Sequence, residues 1–149
     1  MNGIYPDILR ERAWAMFRLA NRLFERGEYD LSAMNIEYAV QLYLKSLLYR
    51  VSGEEWRGYN IRSLLGSLIL LLQEQGFDRE ASKITSFIRR NRRVLAELEE
   101  AHTRVVYSVF SYSRDQVKIL LGIARELMDL LKNIEEKVFS NGFREDYKA

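Results

Sequence analysis

The chain has 149 residues, of which 48% are hydrophobic and 30% are charged, and its formal net charge is +2. This balance is that of an ordinary globular protein and gives no indication of a strongly basic nucleic-acid binder. The absence of cysteine and the single histidine exclude disulfides, thiolate metal sites and cysteine nucleophiles, so we predict no metal site and no cofactor. Neither a long apolar run nor a signal-peptide pattern is present, which predicts a cytoplasmic protein without a membrane contact.

The placement of proline and of apolar residues predicts an all-α protein. Pro6 is the only proline, so no later residue of this type interrupts a helix. Apolar residues recur at steps of three and four, which places them on one side of each helix. In chain order, the predicted helices cover residues 7–26, 30–49, 61–75, 78 to about 101 and 113–138, and the polar-aromatic stretch 102–113 is predicted to be partly extended or a broken helix.

Short connections between long amphipathic helices favour antiparallel neighbours. We therefore predict an up-and-down antiparallel bundle of about five helices. No segment has the composition of an interdomain linker, which predicts a single domain over residues 1–149. Its core is expected over about residues 7–138, followed by a polar tail at 140–149.

The large aromatic residues fall into two groups. Trp14, Phe17, Tyr43 and Phe87 lie at core spacings on predicted helices, so we expect them to pack inside the bundle. Trp56 lies in the irregular segment after the second helix. For Trp56 we favour a role as a plug at the end of the bundle over that of an exposed contact.

Four segments form an ordered set of weak motifs. Residues 38–48 read Tyr-Ala-Val-Gln-Leu-Tyr-Leu-Lys-Ser-Leu-Leu, a run of small residues and an amide followed by Leu-Lys-small-Leu-Leu. Residues 27–33 precede this run, residues 60–65 begin the third predicted helix, and an Arg-containing, Tyr-rich stretch at 104–113 precedes the last helix. In order and spacing, these segments resemble the HEPN family over roughly residues 13–138.

The resemblance implies an antiparallel helical bundle that is commonly dimeric. HEPN domains occur in prokaryotic toxin–antitoxin and nucleotide-handling systems, and many act beside a minimal nucleotidyltransferase. Other members are metal-independent ribonucleases that use an arginine and a histidine separated by four to six residues. In that pair the imidazole can move a proton while the guanidinium stabilises charge on phosphorus.

The chain departs from the ribonuclease pattern around its one histidine. The nearest arginine before His102 is Arg93, and eight residues separate the two. Arg104 follows the histidine instead, and Val105 stands where the family's Arg-Tyr version has tyrosine. We therefore assign no catalytic residue and lean towards a protein that is not an enzyme. His102, Arg104 and Tyr107 remain the candidates for a divergent ribonuclease, although a surface histidine near a helix end is the favoured interpretation of His102.

Four residues are candidates for binding a nucleotide or a partner: Arg104, Tyr107, Tyr112 and Lys45. Arginine with tyrosines can hold a phosphate and stack a base, but the same residues are enriched in protein interfaces. For the first three we favour a dimer seam or plain packing over a nucleotide site. For Lys45 we favour an aliphatic stem that packs along the bundle.

The densest basic run consists of Arg89, Arg90, Arg92 and Arg93. On a continuous helix Arg89, Arg92 and Arg93 share one side, so a patch that binds phosphate or RNA is one interpretation. Glu97 stands four residues after Arg93, where the two side chains can pair. We therefore favour a solvated, partly neutralised helix face.

Together these observations predict an interaction and regulatory module of HEPN type, which forms a homodimer and partners a minimal nucleotidyltransferase. Nucleotide binding near Arg104 is part of this hypothesis. The alternatives are a divergent, toxin-like ribonuclease and a helical domain that binds RNA.

Overall fold

A computed structural model describes residues 3–58 and 60–148, with side chains described through residue 139. The described residues form helices and connecting turns and contain no strand, which confirms the predicted all-α class. The helices are α1 (Ile4–Glu25), α2 (Tyr29–Ser52), α3 (Ile61–Glu74), α4 (Asp78–Arg90), α5 (Arg92–Tyr107) and α6 (Arg114–Lys148).

Helix α2 is the centre of the bundle and packs against α1, α3, α5 and α6. Its apolar residues lie on almost every side, which is typical of a buried helix. Ala20, Ala33 and Ala39 are fully buried. Two serine hydroxyls join α1 and α2, since Ser32 Oγ donates to the carbonyl oxygen of Ala20 at 2.8 Å and Ser46 Oγ donates to that of Pro6 at 2.7 Å.

The aromatic residues lie largely where the sequence predicts them. Phe17, Tyr43 and Phe87 are buried, while Trp14 is half-buried and meets the Tyr43 ring edge-on at 5.8 Å. Trp56 packs against the core from the loop after α2, and its indole Nε1 donates to Ser52 Oγ at 2.9 Å. The loop tryptophan therefore covers the core, as expected of a plug.

The predicted fourth helix is wrong in one respect, because it is interrupted at Asn91. The backbone of Asn91 leaves the helical region at φ −127° and ψ 27°. Its side-chain Nδ2 donates to the carbonyl oxygen of Phe87 at 2.9 Å, and its backbone N–H also bonds to that oxygen. Short polar side chains compete in this way with the helical ladder. Two helices, α4 and α5, therefore replace the predicted one.

The boundaries near the C-terminus also differ from the prediction. Helix α5 continues to Tyr107, so only residues 108–113 of the predicted irregular stretch are non-helical. The last helix begins at Arg114, as expected, but it ends at Lys148 rather than near residue 138. The expected polar tail at 140–149 is thus helical through Lys148, while its side chains and Ala149 lie outside the described residues.

The buried carboxylate of Glu135 connects three helices. It accepts hydrogen bonds from the Tyr43 hydroxyl at 2.9 Å, from Arg10 Nη1 at 3.0 Å and from Arg50 Nη1 at 2.6 Å. Burial, followed by the charge of Glu135, raises the pKa of Tyr43, so its hydroxyl stays a donor. The Arg50 guanidinium also lies over the Phe139 ring, 4.2 Å from its centroid. Helices α1, α2 and α6 thereby share one polar contact that the apolar pattern does not reveal.

Replacing Glu135 with alanine should destabilise the fold strongly, because two arginines and a tyrosine hydroxyl would lose their shared acceptor. We expect Glu135→Ala to lower the free energy of unfolding by about 3 kcal/mol in urea denaturation. The matched control is Glu136→Ala, since Glu136 is the exposed neighbour on the same helix; it should change stability by less than about 0.5 kcal/mol. Equal effects of the two substitutions would contradict this role of Glu135.

Candidate functional site

Arg104 is fixed by carboxylates in the last turn of α5. Its Nη1 lies 2.8 Å from Glu97 Oε2, and its Nη2 lies 2.9 Å from Glu100 Oε2. The guanidinium also lies over the Phe110 ring, 4.8 Å from its centroid. Because two acids already pair with this arginine, a phosphate group at Arg104 would have to compete with both of them.

Tyr112 anchors the segment 108–113 to the rest of the bundle. Its ring is buried and meets Phe110 edge-on at 4.8 Å. Its backbone N–H donates to Asp30 Oδ1 at 2.7 Å, which ties the segment to the start of α2. The Tyr112 hydroxyl has no hydrogen-bond partner among the described residues, and burial raises its pKa while the nearby Arg104 opposes the shift. The buried Tyr112 ring and the hydrogen bond to Asp30 therefore attach residues 108–113 to the bundle.

The outer side of the same region is apolar and exposed. Ser108 ends α5, because its Oγ donates to the carbonyl oxygen of Arg104 at 2.7 Å and accepts the N–H of Phe110 at 3.1 Å. Around this turn Val106 is 48% exposed, Tyr107 is 77% exposed and Val109 is fully exposed. We call Val106, Tyr107 and Val109 the α5 tip. Three large apolar side chains are thus presented to solvent on an anchored turn.

His102 does not converge with Arg104. Both lie on α5, but a separation of two positions places them roughly 200° apart around the helix axis. The side chain of His102 is exposed, whereas Arg104 turns towards Glu97 and Glu100. Tyr107 lies three positions after Arg104, on a neighbouring part of the surface. The structure thus brings Arg104 near Tyr107 and Tyr112 but leaves His102 apart.

The basic run is divided between two helices. Arg89 and Arg90 end α4, and Arg92 and Arg93 begin α5, so the continuous helix assumed for this run is interrupted at Asn91. All four side chains are exposed. The expected pairing of Arg93 with Glu97 is not among the ion pairs of the described side chains; Glu97 pairs with Arg104. The four exposed arginines therefore flank the turn between α4 and α5 and do not lie on one continuous helix.

Lys45 lies in a different place from the other candidates. It lines a groove between α1 and α2 that Trp56 and Arg57 also line, and Arg104, Tyr107 and Tyr112 are not part of that groove. Burial lowers the pKa of Lys45, while the nearby Glu37 opposes the shift. Lys45 and Arg104 therefore cannot be treated as parts of one site.

Glu37 is a buried acid that the sequence reasoning missed. It is 2% exposed, and its carboxylate accepts a hydrogen bond from Gln41 Nε2. Its pKa is raised to about 7, mainly by burial and to a lesser extent by the charge of Glu99, against the opposing effects of Gln41 and Lys45. One signal was present, since Glu37 lies between Ala33 and Val40 on the apolar side predicted for α2.

Comparison with protein-family models gives a match over most of the chain. The family model described as HEPN domain matches residues 7–134 of the chain. No curated protein and no solved structure matches the chain. Across the part of the chain that the structure describes, no helix is both long and apolar enough to cross a membrane.

The raised pKa of Glu37 makes stability depend on pH in a defined direction. A carboxyl whose pKa rises from 4.5 to about 7 on folding binds a proton more tightly in the folded state. Stability from this group is therefore greatest below pH 4.5, falls as the pH rises to about 7 and is then constant. We expect Glu37→Gln to raise the free energy of unfolding by about 3 kcal/mol at pH 8.

The same substitution should have little effect at pH 5, where Glu37 is already protonated in the folded protein. Urea denaturation of both proteins at the two pH values measures the difference. The glutamine keeps an acceptor for Gln41 and changes only the charge. A Glu37→Gln protein that is destabilised equally at both pH values would show that the carboxylate is stabilised by its surroundings.

Proposed function

Because the chain belongs to the HEPN domain family, we propose that it is an interaction and regulatory module that acts as a homodimer. The proposal places the contact between the two copies at the α5 tip. The family resemblance supplies the expectation of a dimer. The exposure of the α5 tip supplies a surface for it.

The main support for a contact at the α5 tip is its concentration of exposed apolar side chains. Of the ten large apolar side chains that are exposed among the described residues, three lie within residues 106–109. Contiguous exposed apolar patches are typical of protein interfaces, whereas isolated ones are ordinary. The patch lies in the stretch where the resemblance places the family's functional region.

The surroundings of Arg104 support an interface more than a nucleotide site. Its pairs with Glu97 and Glu100 and its contact with Phe110 hold the end of α5 and the following turn in one conformation. A rigid, pre-ordered surface loses less conformational entropy on association. In this proposal Arg104 positions the α5 tip, and Tyr107 makes the contact with the second copy.

The partner of the dimer is proposed to be a minimal nucleotidyltransferase, as in toxin–antitoxin systems of this family. The support for it is the family membership alone. The ribonuclease alternative draws less support from the geometry, because His102 and Arg104 point to different sides of α5. We therefore propose that the chain regulates by binding its partners and not by catalysing a reaction.

A charge introduced at the α5 tip should separate the two copies. We expect the wild-type protein to sediment as a dimer and Tyr107→Glu to weaken dimerisation at least about tenfold, because a buried aromatic contact would be replaced by an unpaired charge. Sedimentation equilibrium over a range of concentrations measures this, and circular dichroism checks the helical content.

Leu70→Glu provides the matched control. Leu70 is 61% exposed on α3, outside the α5 tip, and its replacement should leave the dimer intact. A wild-type protein that stays monomeric at all concentrations would refute the proposal. So would a dimer that dissociates with Leu70→Glu and survives Tyr107→Glu.

A further inference from the structure

A second surface lies along the groove between α1 and α2. Its charge distinguishes it from the apolar α5 tip. The groove has a volume of about 740 Å³ and is bounded at one end by the loop that follows α2. Four cations line it: Arg12, Arg22, Lys45 and Arg57. No acidic residue is among its described lining residues, and the ion pairs of the described side chains involve none of these cations.

This excess of cations in the lining distinguishes the groove from the other clefts; Glu37, whose charge acts on Lys45, is buried and does not line the groove. The cleft around Glu135 has three cations and three carboxylates, so its charges balance. The cleft between α4 and α6 contains Glu126 among its basic residues. The α1–α2 groove therefore has the charge pattern that best fits a polyanion.

Aromatic rings lie between the cations of the groove. Tyr38 is 46% exposed, so much of its side chain is open to solvent. Tyr5 is supported by the edge of the Tyr49 ring at 4.9 Å. Trp56 is held by its hydrogen bond to Ser52. Anchored rings beside cations are the combination that binds single-stranded nucleic acid, since bases stack on the rings while the cations contact phosphates.

The length of the groove favours a strand over a single nucleotide. Its lining residues on α1 extend from Tyr5 to Arg22, which corresponds to roughly 25 Å of helix. This length suits a short single-stranded segment, for which site sizes begin at about four nucleotides. The hydroxyls of Tyr5 and Tyr38 can both donate and accept hydrogen bonds, which matches the 2′-hydroxyl of RNA.

We propose that the α1–α2 groove binds a short segment of single-stranded RNA. Arg12, Arg22, Lys45 and Arg57 contact the phosphates, and Tyr38 stacks with a base. The site is separate from the α5 tip and from the basic run Arg89–Arg93, and it does not depend on the proposed dimer.

Fluorescence anisotropy with a fluorescein-labelled, eight-nucleotide RNA of mixed sequence tests the site in the full-length protein. We expect binding that weakens steeply with salt. Arg12→Ala combined with Arg57→Ala should weaken it at least about tenfold and reduce its salt dependence. Tyr38→Ala should weaken it by roughly tenfold with the salt dependence unchanged. All three side chains are exposed, and circular dichroism checks that the variants fold.

Matched variants and probes decide between this site and its alternatives. Arg89→Ala combined with Arg93→Ala removes the same charge elsewhere and should leave RNA binding within about twofold of wild type. An equal loss with this control, or no binding by the wild type, would overturn the proposal. Equal affinity for DNA of the same sequence would overturn the assignment to RNA.

A polyglutamate peptide tests whether the groove recognises charge alone. If the peptide displaces RNA efficiently and Tyr38→Ala has no effect, the groove serves an acidic protein segment and the proposal fails. Tyr107→Glu should bind the RNA normally, so failure of the dimer and failure of the groove can be distinguished.

Discussion

The arrangement of α1, α2 and α6 depends on the carboxylate of Glu135. It is buried, so it requires the three donors that surround it, and those donors come from two other helices. Tyr43 and Glu135 are 92 positions apart in the chain, and their hydrogen bond sets how α6 lies against α2. Arg10 sets the position of α1 against the same carboxylate. The polar contact thus adds to the apolar packing a set of hydrogen bonds that joins all three helices.

Helix α2 takes part in both proposed surfaces, since it lines the groove and holds the segment next to the α5 tip. The groove exists because α1 and α2 are packed along their length while their outward side chains remain basic and aromatic. The α5 tip exists because α6 starts only after a short segment that Asp30 and Tyr112 hold against α2. The two surfaces differ in charge. The α5 tip is apolar and lies beside Arg104, whose charge is balanced by Glu97 and Glu100, whereas the groove is lined by cations. The proposed dimer contact and the proposed RNA site therefore do not compete for the same residues.

Helix content and most helix ends could be predicted from the sequence, because apolar spacing and glycine placement act locally. The break at Asn91 was missed since it depends on a side chain that competes with its own helix. Buried acids such as Glu37 and Glu135 were missed because a carboxylate is expected outside until its partners are known. For the α5 tip, the resemblance pointed to residues 104–113, and the exposed apolar residues of the tip lie in that stretch. The pairing of Glu97 with Arg104 depends on the continuation of α5 to Tyr107, where an irregular stretch was predicted from residue 102.

Site-specific photo-crosslinking tests directly whether two copies of the chain contact each other through the α5 tip. Benzoylphenylalanine in place of Tyr107 would be irradiated in the intact protein, and the linked peptides would be identified by mass spectrometry. A symmetric contact presents the same patch from both copies. Links are therefore expected from position 107 of one copy to residues 104–113 of the second copy. Links to another surface of the second copy, or a protein that yields no linked dimer, would contradict the proposed contact.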